Sequence, residues 1–428
     1  MLNSDTYQTY VQILTNELVP ALGCTEPIAI ALAGAKAREV LGEEPRRIRA
    51  ICSGNIIKNA KGVVVPTTGN MKGIDTSAIL GALAGDPNLG LEVLSKVTPT
   101  DLEATRNMLA RNVCTVELLD TPAKLHIIVE IQGDSHTSLA EIRDEHTNVI
   151  RLERDGEVLF CKNVGEARES DDSHLDALNL ADIIEFANTV NLDDVRPMLS
   201  RQVEYNLRIA QEGLTHAYGG RVGMTLMRHY QTDVRLRAKA LAAAGSDARM
   251  GGCVLPVVIN SGSGNQGITC CVPIATYAKH LDASEDVLYR SLVVSNLVAL
   301  LQKRGIGRLS AFCGAVCAAC GSGAGITYMH GGDYETIART ITNTLANVSG
   351  IVCDGAKGSC AAKIAASVDA AILAHEMSMD GCTFGAGEGL VKEHVEQTIA
   401  SIGRMASQGM RETDTEILKI MIEQNHSC

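Results

Sequence analysis

The sequence predicts a mainly α protein, a large helical domain with a smaller α+β domain inserted, and three observations predict it. Apolar residues recur at helical spacing along much of 171–428. Short runs rich in β-branched residues crowd between about 46 and 170. Gly-rich turns separate the helical stretches. The helical domain is assigned to 1–45 and 171–428, and the α+β region to 46–170.

Taken in order, the first forty residues read as two helices, Tyr7 to Val19 and Ile28 to Leu41, parted by the segment Pro20 to Pro27. Thr25 is the expected cap of the second, with Pro27 in its first turn. Strand-like runs follow at Gly62 to Pro66, Val113 to Leu119, Leu125 to Ile131 and Val149 to Glu153. The polar, acidic stretch Glu166 to His174 reads as a linker. Beyond it, helical periodicity returns in Leu178 to Val190, Val203 to Ala217, Val287 to Gln302, Tyr334 to Val348, Ala361 to Met377 and Thr415 to Glu423.

Composition narrows the function. At 428 residues the chain is long enough for two or three domains and a sizeable buried site. With 40 Gly, 4 Phe and no Trp, the core is built from small side chains that allow close approach. The apolar stretch Leu292 to Leu301 falls well short of the roughly 18 residues that span a membrane, and the start lacks the pattern of a secretory signal. A cytoplasmic location is the expectation. The net charge of −12 and the lack of a basic block argue against nucleic acid as a partner and for a small molecule. Fourteen Cys without an export signal point to reduced thiols, some available to metal, rather than to a disulfide framework.

Four loops combine Gly with polar or thiol groups at predicted helix starts. In Gly23-Cys24-Thr25-Glu26-Pro27, a thiol ahead of a helix feels the positive end of its dipole, which favours the thiolate; the alternative is a buried structural cysteine. In Ser261-Gly-Ser-Gly-Asn-Gln-Gly267, the glycines bring backbone N–H groups near a ligand and suit a carboxylate or phosphate, unless the segment is only a tight turn. The segment from Phe312 to Gly325 places Cys313, Cys317 and Cys320 on one side of a helix, as core thiols or as ligands. The fourth loop, Cys353-Asp-Gly-Ala-Lys357 leading to Cys360, packs acid, amine and thiol together, which is the least expected of a purely structural connection.

Taken together, these four motifs resemble the L-cysteine desulfidase family over nearly the whole chain. That family is similar in its helical domain to the bacterial iron–sulfur L-serine dehydratases, so the resemblance implies a serine-dehydratase-alpha-like helical domain. It further implies a 4Fe-4S cluster on three cysteines, with pyruvate, ammonia and sulfide as products. Matched motif by motif, the ligands fall on Cys24, Cys313 and Cys353. Cys360 resembles the second cysteine of the dehydratases' Cys-Asp-Pro loop at a shorter spacing, and Cys317 and Cys320 are alternatives to Cys313. Three thiolates leave one iron open as a Lewis acid to grip the substrate carboxylate and polarise the leaving group.

Elimination also needs a base for the α-proton. Glu26 and Lys357 are the candidates because each lies within a few residues of an implied ligand; helix capping or an ordinary surface charge is the alternative for each. Thr25, Ser263 and Asn265 are candidate hydrogen-bond partners for a small amino-acid substrate. Cys428, the last residue, carries a thiol that could serve as a removable fourth ligand, against the alternative of a frayed end. Three rival readings stand beside this one: an L-serine or threonine dehydratase of the same cluster type; a pyridoxal phosphate enzyme with Lys357 or Lys58 as Schiff-base amine, which leaves the loop cysteines unexplained; and a non-catalytic, zinc-stabilised metal-binding scaffold. A homodimer is the expected assembly.

Overall fold

A computed structural model describes residues 2–162, 172–229 and 233–423. In chain order its elements are α1 (Ser4–Glu17), β1 (Pro20–Leu22), α2 (Thr25–Leu41), β2 (Arg47–Cys52), α3 (Gly54–Ala60), α4 (Ile74–Ala84), α5 (Pro99–Ala110), β3 (Cys114–Leu118), β4 (His126–Gln132), β5 (Thr137–Arg143), β6 (Val149–Arg154) and β7 (Glu157–Cys161). The helical part continues with α6 (Leu180–Thr189), α7 (Leu192–Thr215), α8 (Val222–His229), α9 (Val234–Met250), the short β8 (Pro256–Val258), α10 (Gly264–His280), α11 (Glu285–Ile306), α12 (Gly314–Met329), α13 (Tyr334–Asn347), α14 (Cys360–Met379), α15 (Val395–Arg404) and α16 (Arg411–Glu423). The protein is mainly α, as the periodicity predicts.

Two hydrophobic cores organise these elements. The larger joins α1, α6 and α7 to the helices from α9 to α15. The smaller lies under one face of a six-stranded sheet of order β3-β2-β4-β5-β6-β7, in which β2 runs parallel to β3 and antiparallel to β4. On β4, Ile127, Val129 and Ile131 are buried and alternate with more exposed Ile128, Glu130 and Gln132, the period of a sheet with one covered face. Helices α2 and α4 provide that cover.

Several elements depart from the sequence reading for identifiable reasons. Helix α2, grouped there with the helical domain, packs in the sheet core; it is apolar on nearly every side because it lies between the sheet and α4. The run Gly62 to Pro66 is not a strand: Val64 makes only an isolated bridge to Lys72, and Val63 and Val65 are buried from a turning segment between α3 and α4. Residues 203–215 of the expected helix Val203 to Ala217 belong to a longer helix, α7, that starts at Leu192 and ends at Thr215. The N-cap of α2 is Cys24, not Thr25. Most of the expected linker Glu166 to His174, and Cys428, lie outside the described residues.

Small residues permit close helix crossings. A Cβ on Gly81 of α4 would lie 2.1 Å from the Ala31 carbonyl oxygen of α2, inside backbone that cannot yield. Gly81→Val is expected to cost about 3 kcal/mol in urea unfolding. Gly62→Ala, where a Cβ meets nothing within 4 Å, is expected to stay within about 0.5 kcal/mol of the parent. Equal midpoints for the two variants would contradict the packing described.

Candidate active site

Two small antiparallel contacts bring distant loops together in pairs. Strand β1 pairs with β8, with Pro20 opposite Val258 and Leu22 opposite Pro256, which sets the Cys24 loop beside the Ser261 to Gly267 loop. Phe312 bridges Val352; the Cys313 N–H donates to the Ile351 carbonyl at 2.8 Å, and the Cys353 N–H to that of Ala311 at 2.7 Å. Cys313 and Cys353 therefore meet side by side, although forty residues separate them. Gly355, two residues on, has a φ of +96°, and a Cβ there would lie 2.2 Å from the Lys58 carbonyl oxygen, so the loop reaches this position only with glycine.

These loops line one cavity of about 100 Å³, whose walls include Cys24, Glu26, Asn59, Ser263, Asn265, Cys313, Cys353 and Cys360. Helices α2, α10, α12 and α14 all begin here, with Cys24, Ser263, Cys313 and Ser359 as their N-caps. None of these four makes a side-chain capping bond, whereas Asn3, Thr98, Asn179, Asn191, Asp233, Ser284 and Asp333 all cap their helices in the ordinary way. Four helix N-termini thus turn unsatisfied N–H groups and positive dipole ends toward one place, an environment suited to negative charge. A much larger cavity of about 850 Å³ lies on the open face of the sheet. Its charges include Arg49, already paired with Glu117 and Glu130, and no thiol lines it. The chemistry is concentrated in the smaller cavity.

Glu26 stands at the centre of the hydrogen bonding. The Cys24 thiol donates to its Oε2 at 3.1 Å and the Asn59 amide to its Oε1 at 3.0 Å. Burial alone would push this carboxyl up, but the neighbouring His146, the bond from Cys24 and the Arg249 charge outweigh it and hold Glu26 below the usual carboxylate range. The thiols respond differently from one another. Burial and the Glu26 charge push Cys24 well up, against the lowering expected from its helix terminus alone. Cys353 is lowered to about 6, first by the hydrogen bond from the Cys313 thiol and then, against burial, by Lys58 and other nearby groups; Cys313 rises correspondingly.

The remaining sequence candidates divide. Ser263 and Asn265 line the cavity. Thr25 does not line the cavity, but its hydroxyl lies within hydrogen-bond distance of two acceptors, the Glu26 Oε2 at 3.2 Å and the Gly262 carbonyl oxygen at 2.9 Å. Lys357 is absent from the cavity wall; its Nζ donates to the Asp354 carbonyl at 3.0 Å and pairs with the Asp354 carboxylate, as its neighbour in the loop dictates. Lys58 is buried and paired with Asp414 of α16. Cys317 and Cys320 are fully buried inside the bundle and do not line the cavity. Cys360 does line it and accepts from the Lys357 N–H at 3.5 Å.

Several wall residues carried no signal in the sequence. Arg249 and Lys303 lie in last turns of helices, where basic residues ordinarily complement the dipole, and Arg308 follows closely after one. Lys303 is buried, donates to the Arg308 carbonyl at 3.2 Å, and has its ammonium pKa pushed down by burial. Asn59 sits in a helix with no sequence mark, and His146 reaches Gly262 from the turn between β5 and β6.

The donor set fits an iron–sulfur cluster. Among the described residues no three His, Cys, Asp or Glu side chains converge tightly enough to hold a single metal ion. A four-iron cube offers each thiolate its own iron, so its ligands need only face a common space from different walls, as Cys24, Cys313 and Cys353 do. The side-chain oxygens of Asn265 and Gln266 and the Nε of Arg249 are buried at the same cavity without partners, which marks it as a place built for a bound group. In iron-free protein, Cys353 is expected to be alkylated half-maximally near pH 6, while Cys24 and Cys313 stay protected at pH 7. Mass spectrometry of the labelled peptides checks this order; labelling of Cys24 or Cys313 ahead of Cys353 would contradict it.

A family model described as serine dehydratase alpha chain matches residues 88–419. A UPF0597 protein of Lachnoclostridium phytofermentans is 56% identical over 418 residues, covering 97% of this chain and 100% of the relative. Similar proteins of the same name occur in Desulfitobacterium hafniense, 50% identical over 98% of this chain and 97% of the relative, and in Treponema denticola, 48% identical over 99% of each. No helix among the described residues is long and apolar enough to cross a membrane. With three quarters of its length under the family model and full-length relatives beside it, the chain belongs to the serine dehydratase alpha chain family.

Proposed function

We propose that this protein is an L-cysteine desulfidase, an oxygen-sensitive carbon–sulfur lyase that converts L-cysteine to pyruvate, ammonia and hydrogen sulfide at a 4Fe-4S cluster held by Cys24, Cys313 and Cys353. The observation that carries this reading is that four thiols, Cys24, Cys313, Cys353 and Cys360, line one cavity at the starts of four helices, of which the resemblance singles out the first three as ligands. When bound, the cluster supplies a Lewis acid to the leaving group through its open iron.

The chain's own residues handle the proton and the substrate. Glu26 lines the cavity as a carboxylate and accepts the α-proton. With Cys24 held as a metal-bound thiolate it would no longer donate to Glu26, and the loss of that bond would let the carboxyl rise toward the range of an effective base. As the proton leaves Cα, the Cβ–S bond breaks and sulfur departs with the electron pair as hydrosulfide. The aminoacrylate tautomerises to the imine, which water hydrolyses to pyruvate and ammonia. Lys357, tied to Asp354, is not needed in this scheme. The burial of the wall excludes bulk water from the carbanionic step.

The family description favours a second reading, an L-serine dehydratase on the same residues. Thiolate leaves more readily than hydroxide, so the two are separated by rate rather than by geometry.

Protein purified without air is expected to release pyruvate and sulfide from L-cysteine faster than pyruvate from L-serine, and to stop when air is admitted. A faster rate on serine would give the second reading precedence; equal activity in protein free of iron would exclude both. Cys24→Ser, Cys313→Ser and Cys353→Ser are each expected to lose iron and to drop in kcat/KM by at least ~100-fold, while Cys317→Ser and Cys320→Ser keep their iron. Glu26→Gln is expected to keep iron while losing ~10²–10⁴-fold in kcat.

A further inference from the structure

The cavity contains a cation that no described residue meets in a hydrogen bond or ion pair, although its charge is felt by Glu26 and Cys24. Arg249, in the last turn of α9, is 2% exposed and lines the cavity. Its guanidinium forms no hydrogen bond or ion pair with any described residue, and its Nε is buried without a partner. The contrast with its neighbour is plain: Arg308 is held by Glu17 at 2.7 Å. Glu26, the nearest acid by electrostatic effect, is bonded instead by Cys24 and Asn59. A guanidinium stays charged at any accessible pH, so burying one without an acceptor is unfavourable unless a ligand brings it.

Acceptors stand unmatched in the same walls. The side-chain oxygens of Asn265 and Gln266, in the first turn of α10, have no donor, and Gln266 is only 5% exposed. Glycines leave space against both kinds of group. A Cβ on Gly264 would lie 2.4 Å from the Arg249 Nε, and one on Gly314 would lie 2.5 Å from the Gln266 amide carbon. One small space therefore presents a planar cationic fork and, nearby, two carbonyl oxygens without donors.

We propose that Arg249 binds the carboxylate of a zwitterionic α-amino acid in this cavity, and that the Gln266 and Asn265 side-chain oxygens accept from its ammonium group. This assigns Arg249 as the substrate-anchoring residue of the site and a small α-amino carboxylate as its ligand class, and it rests on the lyase reading given above. The fork matches a carboxylate in two parallel hydrogen bonds, which fixes orientation as well as position. Anchored at both charged ends, the ligand presents Cα to the wall that holds Glu26.

L-Alanine is the test ligand, because it has both charged groups and no β-leaving group and so can be titrated without turnover. Calorimetry on the anaerobically purified protein, with its iron and sulfide content measured, is expected to show L-alanine binding, with propionate and L-alaninamide each at least ~10-fold weaker. Arg249→Gln is expected to weaken L-alanine by ~10–100-fold, with Arg249→Lys in between because it keeps the charge and loses the fork. Gln266→Leu is expected to weaken L-alanine while leaving propionate unchanged, which tests the assignment even if the arginine variants do not fold. L-Alanine binding unchanged in Arg249→Gln, L-alaninamide bound as tightly as L-alanine, or no binding of L-alanine by the parent would each overturn the proposal. Arg249-dependent L-alanine binding in protein lacking iron and sulfide would instead sink the lyase reading and leave the amino-acid site standing. Iron, sulfide and cysteine turnover together with indifference to Arg249→Gln would do the reverse.

Discussion

Everything in the site depends on two short antiparallel clasps. Three residue pairs between β1 and β8 hold the first thiol loop against the Ser261 to Gly267 loop, and the single bridge between Phe312 and Val352 holds the other two thiols together. Each clasp is too small to be stable alone. Both lie on helices that the large core fixes in place: β8 precedes α10, Phe312 precedes α12, and Val352 precedes α14. The bundle supplies the rigidity and the clasps set the register, so loops more than two hundred residues apart in sequence can share a cavity.

Electrostatics then give the cavity its character. Four helix starts without side-chain caps, the buried Lys303 and Arg249 make it a place that favours anions, while Glu26 supplies the one carboxylate among the described residues on its wall. Three thiolates and a substrate carboxylate are what such a setting accommodates. The cost is visible in the free thiols: burial and the nearby carboxylate keep Cys24 protonated, so loading metal must release protons. Cys353 is the exception, its thiolate favoured by the Cys313 thiol, and it is the natural first point of attachment.

Much of the fold was legible from the chain because local periodicity and core packing agree. The long amphipathic helices α6, α11 and α13, and the alternating strands β4 and β6, sit within a few residues of where their patterns place them. Some elements escaped because burial erases their pattern, whereas others, the alternating strand β5 and the amphipathic helix α15 among them, escaped despite a clear one. Helix α12 and much of α10 are buried around most of their circumference and show little amphipathic stripe. The solvent-exposed edge strand β7 has no polar alternation to mark it. The cavity wall was legible where glycine coincides with a thiol or hydroxyl, at Cys24, Ser263, Cys313 and Cys353, because that pairing is unusual. Arg249, Lys303 and Asn59 escaped because each occupies a helix position where its residue type is ordinary, and only the tertiary fold turns it inward. Lys357 misled for the opposite reason: it is close to Cys353 in sequence, yet its side chain folds back on Asp354.

The most direct test of the account is the content of iron and acid-labile sulfide in the parent protein purified without air. The account predicts about four of each per chain, with an open-coordination cluster. Zinc without labile sulfide would contradict it and would return the three loop cysteines to a structural role.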